Sequence, residues 1–350
     1  MRGMIKTDNK NNKESITILT LAAQYTPSSL CWHGDTLIDW VRGGDVFHLD
    51  GSFDSRHTRY AFSFDAAISS PCGNYAVIYQ RLGVKGLLLR DGKILRELNR
   101  SFYHAGAYEY PICLFTGLDG RTLLAHCPDE YTQIEIEDAE TGMRMPRSCE
   151  RDGVDIFHSR LRVSPCGRWL LSAGWLWHPY GDVAVFDLHA ALNDTSLLDR
   201  PARHVPAKGE PATAEFLPDG RILVATYGED EPDEEEPQEQ LANDDGELPP
   251  SSMGIFDPFQ WRFDRMVRVD AAVGNLMPLD DKLALGFFDH PKLFSLETGA
   301  VLQSWPSLAS GKQFGCVLMS NPSLPAVACD PAGRRFAVAG ENAIHVVSGF

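Results

Sequence analysis

The sequence predicts an all-β fold, a seven-bladed β-propeller of four-stranded antiparallel blades, on three observations. A turn-and-strand unit recurs along most of the chain, its turn glycines Gly73, Gly120 and Gly167 are 47 residues apart, and one strand is left over at the amino end while one is missing at the carboxyl end. A period near 40 to 50 residues is that of a propeller blade. The fullest copy of the unit is residues 159–188, SRLRVSPCGRWLLSAGWLWHPYGDVAVFDL. Proline fixes φ and glycine accepts positive φ, so Ser164-Pro165-Cys166-Gly167 reads as a turn. The apolar run 169–176, the break at 178–181 and the strand 182–187 complete a meander.

The elements follow in chain order. Residues 1–14 are a polar tail, and 15–350 are expected to form one propeller domain. Ser15–Leu21, rich in β-branched residues, is a strand with no meander partner next to it. Blade one takes 30–33, 36–41, 45–50 and 56–61; blade two takes 64–69, 75–79, 86–90 and 93–98. Blade three takes 112–116, 122–127, 133–137 and 143–146. Blade four is the complete unit, with a helical turn within 187–198 and a brief edge at 203–205. Blade five takes 213–217, 221–227, 253–256 and 263–269, interrupted at 228–252 by an acidic inserted loop. Blade six takes 274–278, 283–288, 292–296 and 301–305. Blade seven has only 326–329, 336–340 and 344–347, so the strand at 15–21 is its expected outer strand, closing the ring and covering an open edge.

With Phe186-Asp187 and Phe256-Asp257 standing where Trp-Asp is common, the repeats resemble those of WD40-like β-propellers. The Gly-His dipeptide of that family, paired with a true Trp-Asp, is absent. The resemblance therefore implies an architecture, and ring closure by terminal strands, while leaving function open.

Composition narrows the function classes. The amino-terminal residues lack the apolar core of a signal peptide and no run approaches a membrane span, so a soluble cytoplasmic monomer is expected. Eight cysteines are scattered without a CxxC pair, which reads as reduced structural thiols. Net charge is −16, but 229–247 holds eleven Asp or Glu and no Lys or Arg, leaving −5 for the rest. Without a basic stripe, direct nucleic-acid binding is not expected. His126, His178 and His290 share a repeat position, which sets them apart around a ring and argues for turn residues over metal ligands. There is no GxSxG elbow, no HExxH and no phosphate-cradling loop, so no cofactor or metal is expected.

Meander topology places the long connections on one rim. Aromatic residues there, Phe102, Tyr103, His104, Tyr108, Trp177 and Tyr180, are candidate partner contacts, because Tyr and Trp bury much area with few rotatable bonds. Asp233, Glu234, Glu235 and Glu236 in the inserted loop would steer a basic partner. The expected function is thus a non-enzymatic protein-binding scaffold, in one form an inhibitor or immunity-like antagonist of a basic, nucleic-acid-directed enzyme. The alternative is a propeller hydrolase or lyase with its site at the channel mouth. Thiol titration of the protein denatured without reductant is expected to count all eight cysteines, and a lower count would reveal a disulfide.

Overall fold

The computed structural model describes residues 16–177, 180–228, 246–318 and 324–350. Within them, seven antiparallel sheets stand in a ring as a seven-bladed β-propeller with almost no helix. Six sheets have four strands, and the sheet of blade three has three. No helix among the described residues is long and apolar enough to cross a membrane.

The recurring turns show why their residues recur. Gly73, Gly120, Gly167 and Gly220 have φ of 76°, 80°, 72° and 91°. At Gly120, Gly167 and Gly220 an added Cβ would meet no atom within 4 Å, so left-handed backbone and not lack of room demands glycine. A polar side chain then takes a backbone donor at, or one residue before, the start of the following strand. The Ser70 and Ser164 hydroxyls accept from the N–H groups of Tyr75 and Trp169 at 3.1 and 3.0 Å. The Asp119, Asp219 and Asp280 carboxylates accept from Arg121, Arg221 and Lys282 at 3.1, 3.0 and 2.8 Å. Serine and aspartate thus perform one task with two chemistries. The acids that close third strands do likewise: Asp50, Asp138, Asp187 and Asp257 accept from Ser52, Thr141, Ala190 and Phe259.

Alternation along the strands buries both faces of each sheet against its neighbours. Phe115, Ile136, Leu170 and Phe186 pack between blades three and four. Val185, Ile222 and Phe256 do so between four and five, and Leu223, Met253, Ala284 and Phe294 between five and six. All eight cysteines are unpaired.

The ring closes as the terminal strands require. Thr17–Ala22 pairs antiparallel with Ala343–Ser348 as the outer strand of blade seven, from Thr17 opposite Ser348 to Ala22 opposite Ala343. Its burial differs from a fully packed strand: Ile18 and Leu19 are exposed and Leu21 alone is buried. An outermost strand has no further blade to cover it, whereas Leu21 reaches the cluster of Leu30, Leu37, Phe47 and Ile344 between blades seven and one.

Several strand limits differ from the pattern reading. The outer strand of blade one is Phe53–Asp54 and not 56–61. Beyond it the chain leaves the sheet, held by the buried Asp45 carboxylate, which accepts from the Ser55 hydroxyl at 3.1 Å and the Arg56 N–H at 2.7 Å. In blade three the segment 143–146 is reduced to a bridge between Glu137 and Arg144, flanked by hydrogen bonds from Asp138 N–H to Met143 and from Met145 N–H to Ile136. Pro146 has no N–H and ends it. In blade four the third strand starts earlier, spanning Tyr180–Asp187, and a short helix Leu188–Ala191 and a 3-10 turn Thr195–Leu198 precede the edge Arg203–His204.

Leu21→Ala is expected to cost about 2–5 kcal/mol, the usual range for a buried leucine, whereas Ile18→Thr on the same strand should stay within about 0.5 kcal/mol. Chemical denaturation of both variants measures this, and equal effects would contradict the burial pattern of the closing strand.

Candidate functional site

The connection after blade two begins with a buried arginine. Arg100 Nε donates to Gly83 O at 2.7 Å and Nη2 donates to Ala105 O and Tyr108 O at 2.5 and 2.9 Å. Its guanidinium lies over the Tyr108 and Tyr110 rings at 4.5 and 5.1 Å. Burial pulls its pKa down, with the neighbouring tyrosines opposing. Because a buried guanidinium must find acceptors, it gathers the backbone of 101–108 into a compact knuckle. The small residues Ala105 and Ala107 permit two tight turns, donating to Phe102 O and His104 O at 3.1 and 2.8 Å.

From this knuckle the chain is clasped across the ring by the connection between blades six and seven. Tyr108 bridges Val317, Glu109 N–H donates to Cys316 O at 3.0 Å and Leu318 N–H donates to Ala107 O at 2.9 Å. The Glu109 side chain is the node. It accepts from Arg160 Nε at 2.7 Å and Gln313 Nε2 at 2.8 Å, with Arg81 at 3.7 Å. Arg160 also donates to Gly315 O at 2.7 Å. Burial alone would raise the Glu109 pKa, but Arg160, Arg81 and the Gln313 amide outweigh it and hold the carboxyl below the usual range.

On this clasp stands a stack of rings. Trp175 and Phe157 stack at 3.9 Å between centroids and 11° between planes, and Tyr131 covers Phe157 at 4.3 Å and 23°. Tyr103 lies on Tyr131 at 5.0 Å and beside Trp177 at 6.4 Å. His104 meets Trp177 edge-on at 5.1 Å. The Tyr131 hydroxyl donates to the exposed Asp155 at 2.7 Å. Phe157 and Trp175 are buried, whereas Tyr103 and Trp177 are 42% and 46% exposed. The outer rings are therefore presented to solvent on a rigid base.

Of the residues singled out from sequence, Phe102, Tyr103 and His104 are exposed on this knuckle and Trp177 is exposed against it, Phe102 being 85% exposed. Tyr180 is exposed at the start of its strand, beside Gly181, whose N–H donates to Glu210 at 2.9 Å. Tyr108 is corrected: at 1% exposure it is a core residue, drawn under the loop by Arg100 and Phe157. Asp233, Glu234, Glu235 and Glu236 lie outside the described residues. Sequence reasoning missed Tyr131, Phe157, Glu109 and Arg160, which come from three different connections and share no motif.

A second aromatic group continues the face toward blade six. Phe314 stacks on Tyr227 at 5.2 Å and meets Phe288 at 4.2 Å. The repeat histidines belong elsewhere. Buried His126 lies 3.3 Å from Glu137, and His290 is paired with Asp289 at 3.0 Å. Burial would raise the Glu137 carboxyl, but His126, Arg96 and Arg144 draw it down to about 2. His178 lies outside the described residues, among which no group of His, Cys, Asp and Glu side chains is arranged to hold a metal ion.

Fold and face together define a β-propeller carrying an aromatic platform on its long-loop rim. No family model and no curated protein matches the chain.

Glu109→Gln is expected to destabilise the protein by about 1–3 kcal/mol, since it leaves the half-buried Arg160 without its counter-charge. The depressed Glu109 pKa contributes stability that is present above the ordinary carboxylate range and lost as pH falls through the folded value. Melting temperatures measured against pH should therefore show a weaker acid-side decline in Glu109→Gln than in the parent protein. Parallel declines would remove Glu109 from the clasp's electrostatics.

Proposed function

We propose that this protein is a non-enzymatic binding scaffold whose aromatic platform engages a basic protein partner. The observation that carries the reading is the pair of half-exposed rings, Tyr103 and Trp177, held on the buried stack of Phe157 and Trp175. Rings already fixed in place lose little entropy on binding and make effective interface anchors. The chemistry around them favours a cationic partner. Glu130 and Asp155 stand exposed beside Tyr131, and the inserted sequence 229–247 carries eleven acidic residues. The only carboxylate described within the clasp, Glu109, is already engaged by Arg160 and Gln313, which leaves it occupied as a structural anchor.

The two features act on different rate constants. Replacing 229–247 with a short Gly-Ser link should slow association with the partner and flatten its salt dependence, because long-range charge acts mainly on encounter. Tyr103→Ala and Trp177→Ala should speed dissociation on the order of tenfold or more while leaving the salt slope intact. Partner capture at low and high salt, followed by binding kinetics on the captured protein, checks both. Unchanged dissociation in the two aromatic variants would refute the platform.

A further inference from the structure

Between blades five and six, on the rim that carries the platform, lies a cleft of ≈470 Å³. Its walls combine small side chains, Ala212, Thr226 and Ala272, with the rings of Tyr227 and Phe314 and the carboxylate-bearing Asp270. Gly228 and Ser251, which flank the inserted segment, also line it, so the cleft opens at the base of the most acidic stretch of the chain. Phe314 is partly exposed and braced by stacking on Tyr227 and by Phe288 behind it. Asp270 is exposed and has no hydrogen-bond or ion-pair partner among the described residues. An aromatic wall with a free carboxylate is an incomplete set, and one type of group completes it.

We propose that this cleft receives an arginine side chain of the basic partner, the guanidinium lying against Phe314 and Tyr227 and pairing with Asp270. The inference rests on the scaffold reading and names the anchor residue that the scaffold recognises. Three features select arginine. Its guanidinium is planar and weakly hydrated, so it can lie on rings while its edge donates to a carboxylate, which the compact ammonium of lysine does less well. The predominantly small and apolar lining suits the three-methylene stem. The volume falls within the roughly 300–1,000 Å³ of pockets that take drug-sized ligands, which leaves room for the arginine and its flanking backbone.

The test uses the full chain and three blocked tripeptides, acetyl-Gly-X-Gly-amide with X as arginine, citrulline or lysine, titrated and followed by NMR. Citrulline keeps the shape of arginine and removes its charge. Arginine is expected to bind on the order of tenfold more tightly than citrulline, and more tightly than lysine, as charge-assisted and stacked contacts predict. Asp270→Asn should erase the preference for arginine over citrulline, Phe314→Ala should weaken arginine more than lysine, and Tyr103→Ala should change neither. Asp270 is exposed, so an unchanged melting temperature verifies that its variant is folded. Equal binding of arginine and citrulline, or a preference that survives Asp270→Asn, overturns the proposal. Partner binding that depends on Trp177 but not on Asp270 would remove the arginine slot and retain the scaffold. Peptide selectivity with no effect of Tyr103 or Trp177 on partner binding would retain the slot and remove the platform.

Discussion

The half-buried pair of Glu109 and Arg160 holds together segments that are far apart in sequence. Arg160 Nε meets one carboxylate oxygen at 2.7 Å, Gln313 meets the other at 2.8 Å, and Arg160 continues to Gly315 O. The connections after blades two, three and six are thereby tied to one another over the ring. A buried ion pair is costly to desolvate and becomes favourable only when its remaining hydrogen-bonding capacity is met. Here Gln313 and backbone carbonyls meet it. Such a pair contributes less by its net energy than by the penalty for every alternative loop arrangement, each of which would strand a charge in the interior.

The aromatic platform depends on that constraint. Arg100 gathers carbonyls from inside the 101–108 knuckle, and the backbone bridge between Tyr108 and Val317 sets its height over the ring. Tyr103 can then lie on Tyr131, and Trp177 beside it, without either ring being buried. The exposed aromatic area is pre-ordered by polar interactions beneath it. On the proposed scaffold reading, recognition by the face and stability of the clasp are coupled, and substitutions at Glu109 or Arg100 should loosen binding without touching a partner.

Charge and aromatic surface are carried by different parts of the chain. The inserted segment at 229–247 concentrates eleven acids in one short stretch, whereas the platform presents rings with a few acids at their edge. Long-range attraction and short-range anchoring call for these different materials, since charge acts across a Debye length and packing only at contact. The cleft beside Asp270 is lined by Gly228 and Ser251, which bracket the acidic segment in sequence. A side chain that is both cationic and flat can use the field of the one and the rings of the other.

The sequence by itself determined the architecture. Turn glycines that recur at 47-residue spacing, the acids Asp50, Asp138, Asp187 and Asp257, and the unpaired strand at 15–21 specify local backbone, and a meander of local contacts closes in one way. Phe102, Tyr103, His104 and Trp177 were legible as an exposed group because a loop dense in aromatics cannot bury all of them. Tyr108 was not distinguishable from Tyr103, since both lie in the same aromatic loop and only the position of Arg100 decides which ring goes under. Blade edges at 53–54 and 144 also escaped pattern reading, because a buried Asp45 and the missing N–H of Pro146 settle them and not strand propensity. The Glu109, Arg160 and Gln313 cluster and the Asp270 cleft belong to the tertiary structure alone. Their members are up to 204 residues apart, have no shared spacing, and are brought together only when the ring closes and carries its connections over a common face.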